Sequence, residues 1–511
     1  MTRSNEKGIA LILTLILVLV MSVMAVSLMF MSQSETWSSL NYRLMSQSRD
    51  GAEAGINSAA NYIVNTYTQP GGPGDPITTA TYTTTASPVT CCGGNTVTLT
   101  TLSGDTSYYP VSSVATAFNT SGVGKGSVTA GNLTINYNTK ATLLSMRSGF
   151  APFGTTTTQT VQTWKIVSDG SISTIRNAKV EVSAILERHV TPSFNYAAFA
   201  TSQNCDALDF GGGGSTGSYD STAVVGGVVT TQASGGNVGT DGNLTSSNSM
   251  TIDGTLSTPR TGVGNCVNGS PDAWTGNGTI AGGIVHLSQI ITYPTPSLPN
   301  PLPPTGNLQL SNSASCGAVT GCSWVSTGGN SGYFTLSPCP TGGCTTSSTG
   351  TYGQVNLQSG NVLHITAGTY DMDAFSMTGN SQLIIDSGPV VLNISGCATT
   401  SGSACASYIT TPIDTTGGTV SNPSLISTNF QILYAGTGTV KLSGGSQAAM
   451  GLAYAPNGSI NVSGNAPWYG SLIGKTVKDT GGAAIYYDRA LQNSGFTIGP
   501  WMLDSFTWKK Y

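Results

Sequence analysis

The residues that could do chemistry in this sequence are few and loosely grouped. Asp371, Asp373 and Asp386 lie close together in the chain. Clustered carboxylates can act as general acid and base in polysaccharide cleavage, or supply oxygen ligands to Ca²⁺. Asp371 and Asp373 are two residues apart, however, and side chains at that spacing share one face of a strand. We favour a solvated strand face, keep these two as weak Ca²⁺ candidates, and otherwise predict no metal site.

Histidines add no further candidate. The chain has three, and none stands in a recognisable metal or catalytic-triad motif: His189, His286 and His364. We therefore expect a protein that is not an enzyme and needs no cofactor.

Cysteines offer structural chemistry instead. Ten cysteines all lie outside the apolar N-terminal run, an even number that suits disulfides in an oxidising compartment. Three pairs would close short loops and one would close a longer loop: Cys316 with Cys322, Cys339 with Cys344, Cys397 with Cys405, and Cys205 with Cys266. The adjacent Cys91 and Cys92 bond either elsewhere or to each other. A zinc site in the 316–344 span is the rival interpretation, but its spacings are looser than usual zinc pairs.

Composition indicates an exported β-rich protein. Only 8% of the 511 residues are charged, the net charge is −4, and glycine occurs 66 times. A basic footprint for nucleic acid is absent from these numbers, so no nucleic-acid partner is predicted. The hydrophobic fraction of 38% favours a folded core over disorder.

The element that must position everything else stands at the N-terminus. Arg3 and Lys7 precede Gly8, and the run from Ile9 to Met31 is almost wholly apolar. About 20 apolar residues suffice for a helix to cross a bilayer. The positive-inside rule leaves residues 1–8 in the cytoplasm and sends the rest outward.

This short charged leader, glycine and apolar helix resemble a type IV pilin leader. The resemblance implies cleavage by prepilin peptidase between Gly8 and Ile9, with methylation of the new N-terminus. Major pilins carry Glu as the fifth mature residue, whereas this chain has Leu13. That acid pairs with the amine of the subunit ahead, and a subunit at the filament tip has no such neighbour. The segment from Ser46 to Ala60 is similar to the helix of PilX-type minor pilins, which also tend to lack the acid.

The resemblance implies the partners and the location. Other pilin subunits would contact the helix, with Leu13, Trp37, Leu40 and Leu44 as filament-contact candidates. The protein would be single-pass in the inner membrane before assembly and then extracellular in a filament, or periplasmic. An uncleaved signal anchor that holds a surface domain is the simpler alternative.

The pilin region should combine the helix with a small antiparallel sheet. Apolar residues recur at three- and four-residue steps from Trp37 to Ile63, which predicts an amphipathic helix over residues 9–67. An α+β domain follows over residues 68–194. Its clearest strands flank Asp169-Gly170, a dipeptide typical of hairpin turns.

Repeats predict a right-handed β-solenoid, similar to a parallel β-helix, over residues 195–495. Similar segments begin at Thr439, Ser459 and Thr476, and each is followed by a second apolar run. The Pro-rich segment 293–304 is expected to be an exposed crossing between two parts of the solenoid, and 311–350 a Cys-rich lateral insertion. Residues 496–511 are interpreted as a C-terminal tail, and the late aromatics as a cap on the last coils.

The fold class predicted is thus α+β followed by mostly β, and the function predicted is that of a minor pilin. Such a subunit would prime or cap a filament and present the solenoid to a surface glycan or protein receptor. Two alternatives stay open. One is a type II secretion pseudopilin, which has the same leader. The other is a membrane-anchored β-helix polysaccharide-active enzyme that uses Asp371.

Overall fold

A computed structural model of the chain describes residues 6–66, 82–150, 153–155, 159–173, 177–224, 226–262, 272–317, 319–329, 331–340, 343–345, 349–401, 404–443 and 449–510. These form two compact units. The helix–sheet unit comprises Met1–Phe150, Gln159–His189 and Pro500–Tyr511, and the stack unit comprises Ala151–Thr158 and Val190–Gly499.

The helix–sheet unit begins with a helix and continues with antiparallel strands. Its elements are α1 (Glu6–Asn61) with a π-helical turn (Tyr62–Thr66), β1 (Tyr82–Thr83), β2 (Thr90–Cys91), β3 (Asn95–Thr96), β4 (Thr98–Thr100), α2 (Ser112–Phe118), β5 (Lys125–Ala130), β6 (Leu133–Phe150), β7 (Gln159–Ile172) and β8 (Ala178–Pro192). The pairings β4–β6, β5–β6, β6–β7 and β7–β8 are all antiparallel.

The second half of α1 packs on this sheet. Ala52, Ile56, Ala59 and Ile63 are all buried, at the three- and four-residue steps that predicted an amphipathic helix. They form one core with strand residues such as Trp164. The apolar stripe of α1 is therefore confirmed for the part of the helix that faces its own sheet.

The predicted hairpin exists, but its turn is elsewhere. Asp169 and Gly170 lie inside β7 and pair with Glu181 and Val180 of β8. A Cβ on Gly170 would lie 1.9 Å from the carbonyl oxygen of Ser48 and 2.6 Å from the nitrogen of Ala52, both in α1. The glycine therefore permits close approach of helix and sheet, and reading it as a turn residue was wrong.

The stack unit consists almost wholly of short strands. They are β9 (Ala198–Ala200), β10 (Leu208–Asp209), β11 (Ser215–Tyr219), β12 (Val238–Thr240), β13 (Leu244–Ile252), β14 (Leu256–Thr258), β15 (Trp274–Ile280), β16 (Ile284–His286), β17 (Asn307–Leu310), β18 (Cys322–Gly328), β19 (Ser331–Leu336), β20 (Thr351–Leu357), β21 (Val362–Ile365), β22 (Gly368–Met377), β23 (Ser381–Ile385), β24 (Val390–Ile394), β25 (Cys397–Ser401), β26 (Ala404–Tyr408), β27 (Ile413–Asp414), β28 (Gly418–Ser421), β29 (Phe430–Tyr434), β30 (Thr439–Ser443), β31 (Ala449–Ser463), β32 (Trp468–Asp479) and β33 (Ala484–Asp488).

Strands about 20 residues apart in the chain pair in parallel, and we call each such repeat of strands a coil. Thr439 pairs with Ser459 in the next coil, and Ser459 pairs with Thr476 in the one after. The three repeats found in the sequence therefore stack in register. Six strands form a closed ring in which each strand pairs in parallel with the next, in the order β22–β24–β29–β31–β30–β27. The ring closes because β27 pairs in turn with β22. The side chains that point inward form one continuous core.

The order of coils in space differs from their order in the chain. The last coil pairs with the first, since Leu472 pairs with Ala198 and Ile485 pairs with Thr216. Later coils of the first part pair outward from there, β9 with β12, β12 with β14 and β14 with β16. The coil of residues 468–488 is thus internal. Its aromatics do not cap an end of the stack, which corrects the expectation drawn from their place near the C-terminus.

The Pro-rich segment links the two parts, β9–β16 and β17–β33, and it is partly buried. Tyr293 is buried against the rings of Phe199 and Tyr454. The hydroxyl of Tyr454 donates to the carbonyl of Pro294 at 2.7 Å. We name residues 287–306 the crossing segment. The prediction that residues 293–304 are exposed was wrong, because the aromatic and proline side chains there cover apolar residues of the stack.

The last residues form a strand. Residues 496–511, predicted as a tail, contain β34 (Phe496–Lys510), which neighbours β8 in the sheet of the helix–sheet unit. The contacts Ser183–Thr507 and Arg188–Trp501 show that the two strands run in opposite directions. Partly buried Trp501 and Leu503 pack on the core of that unit, so apolar burial holds the strand in place.

Candidate functional surfaces

The first half of α1 is the largest exposed apolar surface among the described residues. Residues 9–43 are all exposed, and the most apolar stretch of 18 residues in the span Ile9–Asn65 has a mean hydropathy of 3.1. It is the one described helix long and apolar enough to cross a membrane. Gly8 and Ile9, the predicted processing site, lie in the first turns of α1. Exposed apolar surface of this extent indicates contact with a membrane or with other protein chains.

Three of the four predicted filament-contact residues lie on that exposed surface. Leu13, Trp37 and Leu40 are exposed. Leu44 is 5% exposed and packs with Ile135 and Ile172 of its own sheet. The helix reaches its own sheet at this turn, and the contact of Leu44 is therefore intramolecular.

Two of the three acidic candidates, Asp371 and Asp373, are buried rather than solvated. Asp373 is 0% exposed and Asp371 is buried in β22. Asp371 Oδ1 accepts a hydrogen bond from Asn393 at 2.9 Å, and Asp373 Oδ1 accepts one from Ser395. These partners lie one coil later, so each acid receives a hydrogen bond from a neutral group of the neighbouring coil. The solvated-face prediction was wrong.

Burial changes the protonation of both acids. It raises the pKa of Asp371, against a hydrogen bond from Asn393 that lowers it, and raises the pKa of Asp373 to about 6. Asp373 Oδ2 is buried without a hydrogen-bond partner among the described residues. A Ca²⁺ ion needs six to eight oxygen ligands, and this environment is poorly suited to supply them.

The disulfides account for the potential metal ligands nearby. Cys339, Cys344 and Asp371 approach one another closely enough to hold an ion, but the two cysteines are bonded to each other. Cys316 is bonded to Cys322 and Cys397 to Cys405. The zinc interpretation fails because disulfide sulfurs are not thiolates.

The other described cysteines are also disulfide-bonded. Cys91 and Cys92 are bonded to each other. Cys205 is disulfide-bonded, and its predicted partner Cys266 lies outside the described residues. Disulfides therefore occur in both units, as the composition of an exported protein predicts.

The described histidines also have structural contacts. His364 Nδ1 lies 2.8 Å from Asp386 Oδ1, and its ring lies 4.3 Å from that of Tyr333. Asp386 therefore pairs with His364, and not with Asp371 or Asp373, in the described part of the chain. His286 Nδ1 lies 2.8 Å from the carbonyl of Arg260. The side chain of His189 lies outside the described residues.

Two contacts in the helix–sheet unit were missed from the sequence. The guanidinium of Arg188 lies 5.5 Å from the ring centre of Trp501, and that of Arg49 lies 6.0 Å from the ring centre of Trp508. Cations over aromatic faces are mutually attractive. The aromatic residues between Trp501 and Trp508 could have indicated these contacts. The interpretation of residues 496–511 as a tail gave those aromatics no partners.

Comparison with known proteins identifies the N-terminus. Residues 7–57 match the family model "PilX N-terminal". The N-terminus of the chain is similar to this family. The matched residues cover both the exposed and the sheet-packed part of this pilin-like helix, as the resemblance in the sequence predicted.

The stack unit contains a second family match. Residues 337–494 match a model described as a domain of unknown function (DUF7305). The competence-associated pilin ComZ from Thermus thermophilus is similar at 14% identity and a TM-score of 0.27, over 75% of this chain and 86% of that one. No curated protein matches the chain.

Proposed function

We propose that the chain is a minor type IV pilin-like subunit that joins a filament through α1 and presents the stack unit for attachment. The observation that carries this proposal is the division of α1. Its first half is apolar and exposed, and its second half packs on the sheet of its own unit. Such a helix can serve first as a membrane anchor and later as a contact with helices of other subunits. The PilX N-terminal match supports the same role.

Processing and topology follow from this proposal. Prepilin peptidase cuts between Gly8 and Ile9, and the new N-terminus is methylated. Before assembly the protein is single-pass in the inner membrane with residues 1–8 in the cytoplasm, as Arg3 and Lys7 favour. After assembly the stack unit is extracellular. A type II secretion pseudopilin would share this pathway but end in the periplasm.

A position at the filament tip is also part of the proposal. Leu13 stands where major pilins carry the acid that pairs with the subunit ahead, and a carboxylate within an apolar helix is retained only where it has a partner. The stack is proposed to be a right-handed β-solenoid, because crossover connections between parallel strands are right-handed in about 98% of cases.

The role is proposed to be structural rather than enzymatic. A glycan-cleaving site needs two carboxyl groups that both reach the substrate. Burial of Asp371 and Asp373 and the pairing of Asp386 with His364 argue against such a site in this part of the stack.

The proposal is tested by blocking processing. Gly8→Leu should leave the protein in the inner membrane and absent from sheared filaments. Ser22→Leu, which adds the same side chain away from the junction, should be processed and assembled. Equal amounts of both variants in filaments would overturn the proposal.

The tip position is tested by immunogold labelling with antibodies against the stack unit. Sparse label at filament ends is expected. Uniform label along the shaft would contradict the tip position, and label confined to the periplasm would favour the pseudopilin.

A further inference from the structure

A small cavity opens at one corner of the stack, between its coils and the crossing segment. It has a volume of about 190 Å³ and is lined by Thr201, Asp241, Pro456 and Asn457 of the stack and by residues 290–293 of the crossing segment. Every lining residue belongs to the stack unit. We name this the corner cavity.

Neighbouring coils supply equivalent positions to this cavity. Ala200 pairs with Thr240 on one side and with Gly474 on the other, and Gly474 pairs with Ala455. Asp241, Thr201 and Pro456 each follow one of these paired residues. The side of the cavity that the stack provides is therefore fixed by the ladder of the sheet itself, where backbone positions are set by hydrogen bonds on both sides.

The crossing segment closes the other side and is held firmly. Asp241 Oδ1 accepts a hydrogen bond from the backbone nitrogen of Ile291 at 2.9 Å. Asn457 Nδ2 donates to Thr295 Oγ1 at 2.9 Å. Buried Tyr293 packs with its ring 4.9 Å from that of Phe199. These contacts fix both walls before any ligand binds, and such preorganisation lowers the entropic cost of binding.

The chemistry of the walls favours a small neutral ligand rich in hydroxyl groups. Asp241 is 3% exposed and is the acidic residue of the lining. Burial raises its pKa to about 7, against the hydrogen bond from Ile291 that lowers it. Near neutral pH this carboxyl group therefore occurs in both forms, and it can accept and donate hydrogen bonds. Thr201, Thr292 and Asn457 add hydroxyl and amide groups, while Tyr293 and Pro456 add apolar surface.

Size and charge exclude other ligand classes. At about 190 Å³ the corner cavity is smaller than the roughly 300–1,000 Å³ of sites for drug-sized ligands, so it suits a single ring better than a peptide or a nucleotide. A carboxyl group disfavours anions. Ca²⁺ requires about six to eight oxygen ligands, and one carboxyl group with a raised pKa supplies too few of them.

We propose that the corner cavity binds a single neutral pyranose, such as the terminal ring of a surface glycan, with Asp241 hydrogen-bonded to ring hydroxyls. This inference rests on the proposed function, since it names the ligand class of the stack that the filament presents. Binding is nevertheless measured on the purified protein. Failure of the inference therefore leaves filament assembly untouched, and failure of assembly leaves the binding result untouched.

The test uses the full chain in a detergent without a sugar headgroup. The probes are the methyl pyranosides of glucose, galactose, mannose and N-acetylglucosamine, and binding is followed by saturation-transfer NMR and titration calorimetry. At least one probe should bind. Asp241→Asn keeps the shape and the acceptor for Ile291 while it replaces the second carboxyl oxygen, and it should weaken binding about tenfold or more.

A second variant keeps the result independent of folding at Asp241. Thr292 is exposed on the crossing segment, so Thr292→Phe should fill the corner cavity without a change in the core and should abolish binding. Asp414 lies in β27 and does not line the corner cavity, so the Asp414→Asn variant should bind the probe as the wild type does. The inference is overturned if no probe binds, if Thr292→Phe binds unchanged, or if Ca²⁺ alone binds in a manner that Asp241→Asn removes.

Discussion

The two units of this chain bury their cores in different ways. In the helix–sheet unit, strands that follow one another in sequence are paired neighbours, β6 with β7 and β7 with β8, and α1 covers one face of the sheet. In the stack unit, each coil can bury its apolar side chains only against other coils, and its first and last coils pair with each other. Strands β6 to β8 of the first unit pair locally and β34 joins β8 across 324 residues, whereas the second unit pairs its first coil with a coil about 270 residues later.

This difference predicts how much of each unit a destabilising substitution affects. An internal coil of the stack has neighbours on both sides, so its loss breaks the array into two parts. In the helix–sheet unit, the critical contact is the close approach of one helix to one sheet. A substitution in the core of one unit should therefore leave the stability of the other unit unchanged.

The largest effect is expected in the internal coil. Trp468 is buried in β32 between Ala449 and Ile485, so Trp468→Ala should lower the free energy of unfolding of the stack unit by about 3–5 kcal/mol. Trp324→Ala in the partly exposed strand β18 is the matched control and should cost clearly less. Urea unfolding followed by circular dichroism measures both. Equal losses would mean that the coil of residues 468–488 does not occupy an internal position.

The second prediction concerns the helix–sheet contact. A side chain at position 170 would overlap the backbone of α1, so Gly170→Val should lower the stability of the helix–sheet unit by about 3 kcal/mol and leave the stack unit unchanged. Gly306→Ala is the control, since nothing lies within 4 Å of its added Cβ. Hydrogen exchange of β6, β7 and β8 reports the change. Normal protection in Gly170→Val would refute the close approach.

The third prediction concerns pH. The folded-state pKa of Asp373 is about 6, above its ordinary value of 3.8, so the folded state binds this proton more tightly than the unfolded state does. Its contribution to stability is therefore fully present below about pH 4 and lost as pH rises through about 6. Asp373→Asn should match the wild type near pH 4 and exceed it by about 2–3 kcal/mol at pH 8. An unchanged pH profile would show that the carboxyl group is solvated.

The smallest effect is expected from a short disulfide loop. Cys339 and Cys344 are five residues apart, and closing so short a loop stabilises the folded state by roughly 2 kcal/mol or less. Cys339→Ser combined with Cys344→Ser should shift the unfolding midpoint of the stack unit slightly and leave its β-type spectrum intact. Collapse of the stack would assign this loop a larger role than its length allows.

Local patterns in the sequence were sufficient for part of this architecture. The periodicity of Ala52, Ile56 and Ala59 predicted the buried face of α1, and the shared pattern at Thr439, Ser459 and Thr476 predicted coils that stack in register. In both cases the residues that make the pattern also make the contact, so the signal is present within about 40 residues.

Other features depend on residues far apart in the chain. Nothing near Ile485 indicates that its partner is Thr216, because parallel pairing leaves no local mark of which coil comes next. Asp373 was interpreted as solvated because the Ser395 that pairs with it lies one coil later. Gly170 was interpreted as a turn residue because its requirement for space comes from α1. Asp241 had no motif at all, since its cavity forms only where the crossing segment passes over the stack.

The mature N-terminus tests most directly the proposal that α1 is a processed pilin-like helix. Intact-mass and N-terminal peptide spectrometry of the protein from its native membrane or filament should find Ile9 first, with one added methyl group. An N-terminus still at Met1, or one near Ser32 after loss of the apolar helix, would contradict the account.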